Sequence, residues 1–357
     1  MKKCCLAFIF ISILCGKLLA QQREWGIEVY PKAGFLLAHR AVMAHLPQEH
    51  VFGGEITAFI QTNGSKRFHQ VYNYPKIGVS FVGTTIGNNQ LLGQMYAGYA
   101  FIDFPFRKNE KHEFSGRVGL GLSALTKVFD QHTNPKNVAM SSHLNAYVSL
   151  GIKYRYYFGK THLVAGMELS HSSNGSSKVP NLGVNLPYLS VGAGYTFNKV
   201  QKIENLQEFN KQPWKFTLLG IVSAKEVFPT GGPKYPVYAL SAMARKVFSP
   251  KSGIEIAYDL IYKTSIKDYK REVYTEDKSG WDITQMGIYC GYILPFEKLH
   301  FIVGMGAYLK DKYNPDDHFY HRLGLRYQAN KHLLLNLTLK AHWAKADYIE
   351  YGIGYTF

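Results

Sequence analysis

The segment His171-Ser172-Ser173-Asn174-Gly175, followed by Asn181 and Asn185, brings a base, a hydroxyl and an amide into one hairpin. These residue types suit ester hydrolysis. Ser173 is the candidate nucleophile, His171 the base that takes its proton, and Asn185 the group that orients the imidazole. An amide fixes a ring tautomer but, unlike a carboxylate, does not balance the charge of an imidazolium. Backbone amides near Asn174 and Gly175, or the Asn174 side chain, are the candidate oxyanion donors. Ser, Asn and Gly are also ordinary residues of an exposed loop, so the motif alone leaves a bland reading open.

The elements that must position these groups read as β-strands. Leu163, Ala165, Met167 and Leu169 share one face, and Gly166, Glu168 and Ser170 share the other. The same parity carries His171 and Ser173 onto the apolar face. Asn185 falls on the matching face of the returning strand, with Leu189, Val191 and Ala193, where cross-strand neighbours interact. Similar alternation recurs in segments of about ten residues, the mark of outer-membrane strands. Leu333, Leu335, Leu337 and Leu339 alternate with Leu334, Asn336, Thr338 and Lys340, and Ile254, Ile256 and Tyr258 with Glu255, Ala257 and Asp259. Connections alternate too. Short turns at 158–160, 249–253, 294–298 and 328–331 stand opposite longer polar loops at 37–52, 125–142, 172–184, 264–280 and 310–317. That pattern puts the 172–184 loop on the extracellular side; it is imperfect around 62–73.

Residues 1–20 carry a basic start and a short apolar core and read as a secretory signal peptide ending at Ala20. Its removal would take Cys4, Cys5 and Cys15 and leave Cys290, which shares an apolar face with Met286 and Ile288. The formal charge of +16 falls to +13 without Lys2, Lys3 and Lys17. A basic balance suits a polyanion, but no nucleic-acid motif accompanies it. In an exported protein the nearer polyanion is the phosphorylated glycolipid of the outer leaflet. No later apolar run is long enough for a transmembrane helix, and 26 tyrosines suit the aromatic girdles of a membrane barrel.

The expected fold is therefore an all-β transmembrane antiparallel barrel of about 16 strands. The last strand, Tyr351-Gly352-Ile353-Gly354-Tyr355-Thr356-Phe357, has an internal echo in Val191-Gly192-Ala193-Gly194-Tyr195-Thr196-Phe197. Residues 21–197 thus form a half that carries the active-site hairpin, 198–212 a linker, and 213–357 a second half. One large barrel is the simpler closure, and two eight-stranded halves are the alternative. The second half has no His-x-Ser-Asn motif, so its expected part is to widen the barrel, shape a pore or support the first half.

His171-x-Ser173-Asn174 with Asn181 and a polar residue at 185 resembles the active-site hairpin of the outer-membrane lipid A 3-O-deacylase (PagL) or acyloxyacyl hydrolase family. The resemblance extends over about residues 72–197, including Gly119-Leu120-Gly121-Leu122-Ser123-Ala124-Leu125-Thr126-Lys127 and Pro180-Asn181-Leu182-Gly183. It implies an eight-stranded barrel with a lipid-facing Ser-His-Glu triad. His171 would be the base, Ser173 the nucleophile, Asn174 an oxyanion contributor and Asn181 an ancillary residue. The departure is Asn185, where the family pattern has Glu. His-x-Ser-Asn-Gly followed by Asn is also similar to outer-membrane phospholipase A, whose triad is Ser-His-Asn and which implies calcium and a dimer.

Other residues carry blander readings. Asp316, Asp317, His318 and His321 resemble metal ligands but suit an exposed acidic loop. Glu168 has lumenal parity and, with Lys153 and Arg155, joins an expected interior polar network. Trp25, Trp214 and Trp343 read as interface anchors. The combined expectation is a hydrolase of the Gram-negative outer membrane. It acts on lipid A or phospholipid, with no nucleic-acid partner, no metal at the site and no cofactor. Calcium would enter only under the phospholipase reading. A non-enzymatic porin or structural barrel is the alternative of another class. The oligomeric state is not legible.

Overall fold

Period-two alternation becomes strand throughout the computed structural model, which describes residues 24–198, 202–204, 208–269, 277–313 and 315–357. The expected signal peptide lies outside these residues, as do parts of the 198–212 linker and of the 264–280 and 310–317 loops. The first eight strands are β1 (Glu24–Gly34), β2 (Val51–Gln61), β3 (Lys76–Thr85), β4 (Gln94–Lys108), β5 (His112–Leu125), β6 (Leu144–Phe158), β7 (Thr161–Ser173) and β8 (Val184–Thr196). The second eight are β9 (Lys215–Lys225), β10 (Tyr235–Ser249), β11 (Ser252–Lys263), β12 (Thr284–Phe296), β13 (Leu299–Lys310), β14 (Phe319–Gln328), β15 (Leu333–His342) and β16 (Lys345–Thr356).

The expectation of 16 strands is met, and closure takes the alternative form. Each set of eight closes into its own antiparallel barrel. The edge of β8 is satisfied by β1, from Gly26↔Thr196 to Gly34↔Tyr188, so it is not open to β9. In the same way β16 returns to β9, from Tyr351↔Val222 to Thr356↔Thr217. The two echoed ends fasten these seams. Phe197 N–H donates to Trp25 C=O at 2.9 Å and Phe357 N–H to Phe216 C=O at 3.0 Å. The second half therefore does not widen the first barrel.

Eight strands enclose a space just wide enough for side chains. In the first barrel Glu28, Glu55, Asp103, Glu113 and Glu168 meet Lys32, Lys76, Lys108, Arg117, Lys153 and Arg155, so each carboxylate has a cation. Arg117 grips Asp103 with two parallel bonds, at 2.7 and 2.9 Å. Lys32 bridges Glu55 and Glu168 at 2.8 and 2.7 Å. In the second barrel Arg322 joins Glu350 and Asp259 at 2.8 and 2.7 Å. Paired side chains thus occupy both interiors, which argues against the pore expectation. The inward parity read for Glu168, Lys153 and Arg155 holds.

Outside, Leu163, Met167, Leu189 and Val191 on one barrel, and Val222, Ile288 and Ile353 on the other, are exposed. They form apolar walls suited to lipid. Cys290 lies on the second of these walls, with Ile288. A short helix, α1 (Arg67–Val71), occupies the connection between β2 and β3. It accounts for the lapse of alternation around 62–73. Strand order places it on the same side as the tight β4–β5 and β6–β7 turns, opposite the long loop that joins β7 to β8.

Candidate active site

β7 ends in the candidate motif. Leu163, Met167 and Leu169 point outward, and His171 follows in the same parity, half-buried. Ser173, two positions on, is 9 % exposed. The neighbouring hydroxyl of Ser172 faces the interior, where its Oγ lies 2.5 Å from that of Ser123. Parity therefore separates the two serines: one is committed inside the barrel and the other belongs to the outer face.

His171 and Asn185 are direct register partners on β7 and β8. Their side chains meet, with His171 Nδ1 2.6 Å from Asn185 Oδ1. A carbonyl oxygen only accepts, so His171 must carry its proton on Nδ1, which leaves the Nε2 lone pair free. This is the tautomer a base requires. Among the described residues no hydrogen bond joins His171 to Ser173. Their Cα atoms are two strand positions, about 6.7 Å, apart on one face.

A third side chain, unanticipated from the sequence, completes the row. Asn185 Nδ2 lies 3.0 Å from His39 Nδ1. Beyond the end of β1 the chain keeps the register of the β1·β8 seam. Phe35 N–H donates to Pro187 C=O at 3.4 Å and Leu37 N–H to Asn185 C=O at 3.0 Å. Ile27, Val29, Phe35 and Leu37 are all exposed on the outer face, and His39 continues their parity. That odd-numbered run was the available signal. It is hidden because the apolar alternation gives way to a polar loop.

The connection after β7 holds the remaining expected residues. Asn174 N–H donates to Asn181 Oδ1 at 3.0 Å, and Asn174 Nδ2 donates to Lys178 C=O at 2.9 Å. Asn181 is thus a brace for the loop, and the Asn174 backbone amide is engaged by it. Of the expected oxyanion donors, the Gly175 N–H lies next along this connection. Gly175 has φ 62°, a left-handed conformation natural to glycine.

Gly183 bears directly on His171. Its φ is 87°, and a Cβ there would stand 2.8 Å from His171 Cε1. Gly183→Ala is expected to cost about 1–2 kcal/mol through the left-handed backbone. By displacing the imidazole it should also slow catalysis by about ten- to a hundredfold. Heat-modifiable gel mobility and initial rates separate the two effects.

The acidic residues flagged as metal-like have other partners. Asp317 accepts from Trp343 Nε1 at 2.6 Å. Asp316 groups with His342 and Asp347, their ligand atoms within 4.8 Å of one another. Lys263 bridges Asp316 and Asp347, and Lys225 and Lys340 also pair with Asp347. Three ammonium groups already neutralise these carboxylates, which disfavours a metal there.

The chain matches the family model of lipid A 3-O-deacylase (PagL) over residues 53–199. It matches that of the acyloxyacyl hydrolase C-terminal domain over residues 213–357. No curated protein sequence matches it. Among solved structures, Neisserial surface protein A is 15% identical, with 48% of this chain and 97% of that one covered and a TM-score of 0.32. The attachment invasion locus protein Ail of Yersinia pestis is 17% identical, with 49% and 99% covered and a TM-score of 0.29. A mutant porin of Rh. blastica is 9% identical, with 93% and 100% covered and a TM-score of 0.18.

Proposed function

This chain belongs to the family of PagL lipid A 3-O-deacylases and acyloxyacyl hydrolases, and we propose that it hydrolyses the ester holding the position-3 acyl chain of lipid A. Its place is the outer membrane of a Gram-negative bacterium, and its class is a hydrolase of lipid A esters. The finer reading assigns Ser173 as nucleophile and His171 as base. The observation that carries it is the His171–Asn185 bond, set on the outer wall of the barrel directly above Leu169 and Met167. An acyl chain lying along that wall would bring its ester to the level of the two residues.

Ser173 Oγ attacks the ester carbonyl as its proton passes to His171 Nε2. The tetrahedral oxyanion is met by the Gly175 N–H. Collapse breaks the bond to the sugar oxygen, which takes the proton from His171, and leaves an acyl-serine. Water, deprotonated by the same imidazole, then releases the fatty acid and restores Ser173. No step calls for a metal.

One observation favours a second reading. The acceptor on His171 is an amide, as in the Ser-His-Asn triad of outer-membrane phospholipase A. Purified protein given lipopolysaccharide and phospholipid separately, each with calcium and with a chelator, decides between them by mass spectrometry. We expect loss of one hydroxyacyl chain from lipid A, at a rate unchanged by chelation. Calcium-dependent lysophospholipid with intact lipid A would establish the second reading instead. Neither product would end the enzymatic one.

A further inference from the structure

An amide in the third position creates a problem that a carboxylate does not have. Both oxygens of a carboxylate accept, so either orientation receives the His171 Nδ1–H. The Asn185 amide has one accepting and one donating end. Turned over, it would present Nδ2–H to His171, drive the proton to Nε2, and leave the imidazole unable to take a proton from Ser173. Something must choose the orientation, and the group on the far side of Asn185 is His39 Nδ1, 3.0 Å from Nδ2.

We propose that His39 is a positioning residue: by accepting at Nδ1 it fixes the Asn185 amide, and through that amide the Nδ1–H tautomer of His171. The inference rests on the catalytic reading given above. It requires His39 in its neutral form with the proton on Nε2, since only then does Nδ1 accept. Its placement is built into the fold. The bond from Leu37 N–H to Asn185 C=O at 3.0 Å continues the β1·β8 register beyond β1. His39 follows Leu37 on the same outer face. His39, Asn185 and His171 form one hydrogen-bonded row across β8, at 3.0 and 2.6 Å. A histidine here and an asparagine at 185 thus make a matched pair, in which each polar end has one complementary partner.

The test reads the tautomer directly. In protein labelled with 15N-histidine and held in detergent micelles, the two ring shifts of His171, assigned by their loss in His171→Gln, distinguish Nδ1–H from Nε2–H. Wild-type protein is expected to show Nδ1–H, and His39→Ala a mixture, with kcat down about tenfold for the loss of one orienting hydrogen bond and KM little changed. In His39→Asn, Oδ1 takes the place of Nδ1 as acceptor, and most of the tautomer and rate should return. In an Asn185→Asp background, where no orientation needs choosing, His39→Ala should cost about twofold or less. Gel mobility on heating confirms folding of each variant. Equal losses in His39→Ala and His39→Asn, or an unchanged tautomer in His39→Ala, would overturn the proposal. Failure of wild-type protein to release acyl chains would instead strike the catalytic reading, and the tautomer measurement would still decide the role of His39.

Discussion

Ser173→Ala is expected to lower the rate of acyl release by a factor of about 10³ or more while leaving the barrel intact. The hydroxyl is the only atom lost. The His171–Asn185 bond, the brace between Asn174 and Asn181, and the interior pairs beneath the site involve other side chains. Stability should therefore stay near wild type, with the heat-modifiable band unshifted, because among the described residues no hydrogen bond ties Ser173 Oγ to the interior network. His171→Ala should fall as far, and the double variant no further than either alone, since nucleophile and base act in one step. Ser172→Ala is the contrast. Its hydroxyl faces Ser123 inside the barrel, so activity should survive. Mass spectrometry of lipid A from cells expressing each variant reads the outcome. Retention of activity within tenfold in Ser173→Ala would remove Ser173 as the nucleophile.

The contrast between the two serines shows what a sequence reading reaches. Strand parity is a local property, fixed by the pleat, so the outward set Leu163, Met167, Leu169, His171 and the inward Glu168 are legible without any partner. The pairing of His171 with Asn185 follows from the same hairpin, whose two strands are joined by the 174–183 connection. Closure is different. Whether β8 turns back to β1 or passes to β9 depends on hydrogen bonds between residues about 170 positions apart, such as Gly26 and Thr196, and alternation is identical in both cases. The one hint was the echo of Tyr195-Thr196-Phe197 in Tyr355-Thr356-Phe357, since each repeat ends its own barrel.

His39 was missed for the same reason. Its neighbour Asn185 is remote in sequence, and the register that joins them runs on after the apolar pattern has stopped. The loop around the candidate oxyanion donors was only half legible. The types Asn174, Asn181 and Gly175 were identified, but the bond from Asn174 N–H to Asn181 depends on the path of the loop. Composition carries no information about that path. The family resemblance likewise located the third position without revealing that an amide there needs a partner of its own.

Arg155→Met is expected to destabilise the first barrel by about 3–5 kcal/mol, the usual consequence of removing one member of a buried ionic cluster. Arg155 is fully buried and reaches Glu28 at 2.6 Å, Asp103 at 2.5 Å and Glu113 at 3.1 Å. Methionine fills much of the volume but takes from Glu28 its closest full cation and leaves Asp103 and Glu113 with one fewer each. The remaining partners are His162 for Glu28, with Arg117 3.9 Å away, Arg117 for Asp103, and Lys76 and Lys108 for Glu113. Adding Glu28→Gln should recover part of the loss, because the surplus charge and not the missing volume is the cause. Urea titration followed by gel mobility measures both steps. A double variant no more stable than Arg155→Met would assign the loss to packing. The effect should also reach the site. Glu168, three residues before His171 and on the opposite face of β7, is tied to Lys32 of β1 at 2.7 Å, while Leu37 beyond β1 is tied to Asn185 at 3.0 Å. The ionic interior therefore ties β7 to β1 from within, the His39–Asn185–His171 row joins β7 to the continuation of β1 across β8 from without, and loosening the first should slow acyl release before the barrel unfolds.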